Sequence, residues 1–195
     1  MAHSASFVSV PPIPTSHFVD SVRLAVSLNS AYVPPNGSNA SLYIRPLAFG
    51  CGAHLGLSPP EEYLFCVYVN PINAYHGTQP VDALILEEFD RAAPHGTGSA
   101  KVGGNYAPVM RWSDKAKLAG YGITLHLDSQ TRTDIEEFST SGFMGFKTTP
   151  NGVKMIIPDS ENIIKSVTSD SCIEIGKTFG WEIEVRQVRK LYMPS

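Results

Sequence analysis

Long hydrophobic runs are missing from this sequence: none approaches the ~18–20 residues that a bilayer-spanning helix needs, so no membrane span is expected. Basic residues are scarce as well. Lys and Arg total 15 against 18 Asp and Glu, for a net charge of −3. They are scattered along the chain, which argues against a nucleic-acid partner whose phosphates require a concentrated basic face. The 3 cysteines, Cys51, Cys66 and Cys172, lack CxxC spacing and are expected as free thiols of a reducing compartment. Residues 1–14 carry no basic n-region and no sustained apolar stretch, so no leader is expected and the expected location is cytoplasmic. Without a leader, the N-x-S sequons at Asn36 and Asn39 weigh little. Histidines 54, 76, 95 and 126 share no ligand spacing, which excludes a readable metal motif. A Gly-x-Ser-x-Gly elbow is absent, and with it the support for a serine hydrolase.

What is present suits a packed α/β protein: 43% of residues are hydrophobic and 17% charged. After an arm containing Pro11, Pro12 and Pro14, Phe18, Val22 and Val26 recur every fourth residue and predict a helix over 17–29. Residues 33–38 read as a loop, and 42–47 and 63–69 as strands. The second strand is apolar throughout, as a strand covered on both faces would be. Residues 71–80 are the expected link between two units. Beyond it, strands are expected at 83–86, 123–128 and 153–157, and a helix over 108–119 with proline at its start and Gly120 past its end. A further helix should run from a Ser166 cap to Phe179. Alternation of Trp181, Ile183 and Val185 with Glu182, Glu184 and Arg186 predicts a half-buried strand.

The glycine-rich segment from Gly96 to Tyr106 is the most informative stretch. A dinucleotide fingerprint beginning Gly96-x-Gly98 needs a third glycine where Lys101 stands, and a P-loop needs Ser or Thr where Val102 follows that lysine. Both nucleotide readings therefore fail at a residue their mechanism requires. A solvated loop lysine is the ordinary alternative. Against it, no other Lys, Arg, Asp or Glu lies between Arg91 and Arg111, and the small neighbours of Lys101 allow a flat ring to approach the backbone. A lysine that carries an aldehyde cofactor needs such surroundings: a partly desolvated amine with room beside it.

Five phrases occur in order: Tyr43-Ile44-Arg45-Pro46, Gly52-Ala53-His54-Leu55-Gly56-Leu57, Arg91-Ala92-Ala93-Pro94-His95-Gly96-Thr97-Gly98, Lys101-Val102-Gly103-Gly104-Asn105-Tyr106 and Glu136-Glu137-Phe138-Ser139-Thr140. With these, the chain from about residue 18 to residue 189 resembles the eukaryotic, and in particular the fungal, branched-chain aminotransferases, which are fold-type IV pyridoxal 5′-phosphate (PLP) enzymes. The resemblance implies a truncated α/β (α+β) fold of that type. Residues 1–80 would form part of the small lobe with an N-terminal arm, and residues 81–195 part of the large PLP-binding lobe.

The same resemblance implies the site. Lys101 would carry PLP and move the substrate proton. Tyr106 would stand beside the cofactor's phenolic oxygen, and Glu137, rather than Glu136, would meet the pyridine nitrogen. Arg91 would clamp the phosphate, with Thr140 nearby and Val167 and Thr168 offering amides at a helix start. Tyr43 and Arg45 would lie on the substrate side. Strand alternation supports the choice of Glu137, because Glu136 and Phe138 should share one face and Glu137 and Ser139 the other. Two positions depart from the family pattern: Gly142 stands in place of the usual asparagine, and Ser169 in place of the common arginine. Members of the family are considerably longer, so the chain is expected to lack further phosphate contacts and to need a partner, most simply a second copy. The implied activity is amino transfer between a branched-chain amino acid and a 2-oxo acid. The alternatives are a repurposed, PLP-independent cyclase, isomerase or dehydratase of fungal specialised metabolism, and a non-catalytic remnant.

Overall fold

The computed structural model describes residues 1–53, 55–73, 77 and 79–190. His54 and His76, and residues 74, 75 and 78 of the expected link, lie outside the described residues. The chain divides into two compact units, Met1–Pro80 and Val81–Ser195.

The first unit contains helices α1 (Ala2–Phe7) and α2 (Thr15–Leu28) and an antiparallel hairpin of β1 (Ala40–Cys51) and β2 (Glu62–Asn73). The register runs from Ala40 opposite Asn73 to Cys51 opposite Glu62. The α2 helix matches the four-residue apolar spacing, and its Phe18 stacks on Phe65 of β2 with ring centroids 6.0 Å apart. Both strands extend beyond their expected bounds because pairing, not local hydrophobicity, decides where a ladder ends. Gly50 is required by a close approach, since a Cβ there would lie 2.3 Å from Pro60 Cγ. The expectation that β2 is covered on both faces is corrected: none of its residues is buried, and Leu64 and Tyr68 are 43% and 50% exposed. Among the described residues α2 packs on the Phe65 side of the hairpin, and Leu64 and Tyr68 point to the other side.

In the second unit β3 (Ala83–Leu86) lies parallel to β4 (Ile123–Leu127), joined through helix α3 (Ala107–Leu118), and β5 (Ile135–Phe138) pairs antiparallel with β4. A second three-stranded sheet has the order β6 (Gly145–Thr149), β7 (Gly152–Pro158), β8 (Glu182–Arg186), with helix α4 (Val167–Thr178) connecting the parallel pair β7 and β8. Ser166 caps α4, its hydroxyl accepting from the Ser169 amide at 3.2 Å. Met155 of β7 is 1% exposed and sits beneath Gly176 of α4. The expected half-burial of β8 holds at Ile183, but Val185 is 57% exposed, so the apolar side of this edge strand is only partly covered.

The core of the second unit is unusually polar. Beside Leu86, Ala100, Val109, Leu125, Leu127 and Met155 it buries Arg91, Asn105, Thr124, His126, Glu136, Glu137 and Ser139. Buried polar groups are costly unless partnered, so this concentration marks where the fold has been shaped for something other than packing.

Candidate active site

The lysine loop is held by its own asparagine. Asn105 Nδ2 donates to the carbonyls of Thr97 at 2.6 Å and Ala100 at 2.9 Å, while Thr97 Oγ1 donates to Asn105 Oδ1 at 2.9 Å. Ala100 is fully buried, which anchors the residue before Lys101. A single turn, Gly103–Asn105, then carries the chain into α3. Lys101 is exposed where the sequence suggested partial desolvation. Its Nζ donates to the Tyr106 hydroxyl at 2.7 Å and lies 4.2 Å from that ring's centroid. The amine is therefore directed rather than free to sample solvent.

Lys101 and Tyr106 open onto a cleft of about 150 Å³ that is also lined by Glu137, Phe138, Ser139, Thr140, Ser141, Gly142, Ile164 and Ser166. Glu137 faces this cleft, and Glu136 does not. Glu136 turns the other way and accepts at Oε1 from Ser160 Oγ at 2.8 Å and Asn162 Nδ2 at 3.2 Å. Phe138 also reaches the cleft because β5 ends there, and the chain turns back with the Phe138 amide donating to the Ser141 carbonyl at 2.9 Å. Burial pushes both carboxyl groups above the usual carboxylate range. For Glu137 the Arg91 guanidinium and the Ile164 amide oppose that rise.

Arg91, which the resemblance implies at the phosphate, is engaged by protein groups. Its side chain is 2% exposed, and Nη2 lies 3.0 Å from Glu137 Oε1 in an ion pair. Nη1 donates to the Gly98 carbonyl at 3.3 Å and Nη2 to the Asn162 carbonyl at 2.7 Å. The guanidinium thus lies behind the cleft wall, and it is not among the groups lining the cleft. Nearby His126 is fully buried, with Nε2 3.2 Å from Thr124 Oγ1. Burial, reinforced by Arg91, lowers its pKa to about 4.

The remaining expected residues fall into three places. Thr140 lines the cleft. Val167 and Thr168 form the exposed first turn of α4, directly after the cleft residue Ser166. The two departures from the family pattern are neighbours, since a Cβ on Gly142 would lie 3.4 Å from Ser169 Oγ. Tyr43 and Arg45 form a cluster of their own on the first unit's hairpin: Arg45 Nη2 donates to the Tyr43 hydroxyl at 3.3 Å, and its guanidinium stands 5.0 Å from the Tyr43 ring centroid and 6.0 Å from that of Tyr68. Sequence reading missed the roles of Asn105, Ser160, Asn162, Ile164 and His126. Only Asn105 carried a local signal, an amide inside a glycine-rich turn; the others act through contacts remote in sequence.

The donor set fits PLP on chemical grounds. An amine stands at one place in the cleft and a buried carboxylate at another. Hydroxyl groups lie near a helix start, whose first amides lack intrahelical acceptors. Lys101, Tyr106 and Glu137 would hold the ring, and Thr140, Ser166 and the first turn of α4 would meet its phosphate.

Comparison with known proteins agrees. The profile of the family described as "Amino-transferase class IV" matches residues 1–191. Aminotransferase poxL of Penicillium oxalicum is 57% identical over 195 residues, covering 100% of this chain and 53% of its own length. The chain thus spans about half the length of the curated relatives it matches. Among solved structures, the Escherichia coli branched-chain amino acid aminotransferase superposes with a TM-score of 0.72 at 25% identity, covering 95% of this chain and 58% of that one. A T.th. branched-chain amino acid aminotransferase with pyridoxamine 5′-phosphate gives 0.72 at 26% identity, covering 95% and 58%. The fold is that of fold-type IV aminotransferases, and the chain belongs to the class IV aminotransferase family.

Proposed function

We propose that this chain carries the catalytic centre of a PLP-dependent aminotransferase acting on a branched-chain amino acid and a 2-oxo acid. The observation that carries this reading is the convergence of the Lys101 amine, the Tyr106 hydroxyl and the Glu137 carboxylate on one cleft. When bound, PLP supplies an aldehyde carbon for the amino group and a ring that withdraws electrons from the substrate Cα. With PLP bound, Lys101 Nζ would take the proton from the substrate Cα and later give it up, acting as a general base and then a general acid. Tyr106 aims that amine by accepting its hydrogen bond. Glu137 would accept from the ring nitrogen and favour its protonated form. Thr140, Val167 and Thr168 hold the phosphate, and Tyr43 and Arg45 meet substrate. A homodimer is part of this reading. The names of the solved neighbours support the branched-chain substrate, and the name of the fungal relative supports amino transfer in general.

Borohydride reduction in the presence of PLP should fix the cofactor's mass on the Lys101 peptide. Lys101→Ala should abolish both that label and the transfer of an amino group from leucine to 2-oxoglutarate. Amino transfer that survives in Lys101→Ala would overturn the mechanism; a parent chain that takes no PLP label and transfers no amino group would favour the repurposed alternative.

A further inference from the structure

The second unit buries two neighbouring carboxylates and one guanidinium, and the pairing is selective. Glu136 is satisfied at one oxygen by Ser160 and Asn162. Glu137 takes the ion pair at Oε1, while its Oε2 accepts from the Ile164 amide at 3.3 Å. With both oxygens engaged, the Glu137 carboxylate is fixed in orientation, and each oxygen keeps acceptor capacity for a group in the cleft. The other Arg91 contacts tie it to two different segments: the Gly98 carbonyl in the lysine loop and the Asn162 carbonyl before α4. These segments touch closely, since a Cβ on Gly98 would lie 2.6 Å from the Asn162 carbonyl oxygen. An arginine bridges such a junction because its planar fork presents several donors in fixed directions.

We infer that Arg91 is the positioning residue of Glu137: through the ion pair it orients the carboxylate at the cleft wall and favours its charged form, and it keys that orientation to the loop bearing Lys101. This rests on the proposed role of Glu137 toward a ring nitrogen, and it gives Arg91 a task other than phosphate binding. The charged groups acting on Glu137 are Arg91, Lys101 and Glu136. Burial favours the neutral acid, and Arg91 is the strongest influence opposing it.

The test uses the cofactor-free protein, so it does not depend on turnover. The side-chain carboxyl carbon of Glu137, assigned through Glu137→Gln, is followed by NMR across pH in the parent and in Arg91→Met. The titration midpoint should rise by about one unit or more in Arg91→Met, the size typical of a lost adjacent guanidinium. If that variant does not fold, Arg91→Lys reads the same coupling. Its single ammonium cannot reproduce the fork, and the midpoint should rise by a smaller but resolvable amount. An unchanged midpoint in a folded variant overturns the inference. Weaker PLP binding without a midpoint shift also overturns it and restores the phosphate role. Failure of the parent to be labelled at Lys101 by PLP and borohydride would instead sink the proposed function, leaving the carboxylate titration to report on Arg91 alone.

Discussion

Glu136 and Glu137 are adjacent in sequence but face opposite sides of β5, and their partners divide accordingly: a hydroxyl and an amide for the first, a guanidinium and the cleft for the second. Glu137→Gln should keep the fold and slow amino transfer roughly 100-fold, the scale of losing one placed electrostatic partner. Glu136→Gln should leave the rate near that of the parent; the reverse pattern in steady-state kinetics would mean that β5 has the opposite phase in solution. Strand alternation placed Glu136 and Glu137 on opposite faces, as the structure has them, whereas the partner of Arg91 was not legible, because nothing local to Arg91 points to a carboxylate on a distant strand. The same buried cluster has a readable pH signature. His126 titrates near 6.5 when unfolded and at about 4 in the fold. The unfolded chain therefore binds more protons between those values, and stability rises with pH across that window and is flat above it. The shift corresponds to an effect on the order of 3 kcal/mol. The raised carboxyl groups of Glu136 and Glu137 act in the opposite sense, stabilising below the unfolded value and losing that contribution as pH rises through the folded one. Urea denaturation of His126→Gln from pH 4 to pH 7 should isolate the histidine contribution, with a flatter stability profile than the parent's; an unchanged slope would contradict the assignment.

At the scale of elements, periodicity was a reliable guide where a helix or strand buries one face of its own. The α2 spacing, the Ser166 cap of α4 and the glycine after α3 all lie where the sequence placed them. It failed for α1, a six-residue helix without a side-chain cap, because so short a helix depends on its surroundings more than on propensity. It failed also for β6, where Lys147, Thr148 and Thr149 give no apolar alternation and pairing with β7 defines the strand. The lysine loop shows the same division. Its glycines were visible as a motif, but the reason for Gly98 is tertiary: a Cβ would lie 2.5 Å from Ala92 Cβ and 2.6 Å from the Asn162 carbonyl. Gly98→Ala should therefore destabilise the protein by about 1–3 kcal/mol, the usual range for overpacking, and weaken PLP capture by displacing the loop that carries Lys101. Denaturant melts together with the borohydride label check both parts; a stable variant labelled at the parent level would show that the loop accommodates the methyl.

For the molecule as a whole, the decisive feature is uncovered apolar surface on the first unit. Direct cross-strand partners share a face, so Leu47, Phe49, Leu64, Cys66 and Tyr68 lie on one side of the hairpin, together with Tyr43 and Arg45. Phe65, against which α2 packs, belongs to the other side. Leu47, Phe49, Leu64 and Tyr68 are 42%, 42%, 43% and 50% exposed. Single exposed apolar residues are ordinary, but a contiguous row of this kind is the sort of surface that protein contacts use. A stable interface needs about 800 Å² from each partner, so this face would have to act with neighbouring surface rather than alone. Sedimentation of the 195-residue chain at micromolar concentration should show self-association that depends on concentration. Replacing the cross-strand pair Phe49 and Leu64 by glutamate in one variant should shift the protein to monomer while the second-unit cleft still accepts PLP on Lys101. Loss of self-association together with retained labelling would place the association surface on the hairpin and the cofactor chemistry in the second unit. A parent chain that sediments as a monomer would refute the homodimer; association unaffected by the two glutamates would move the contact off this face.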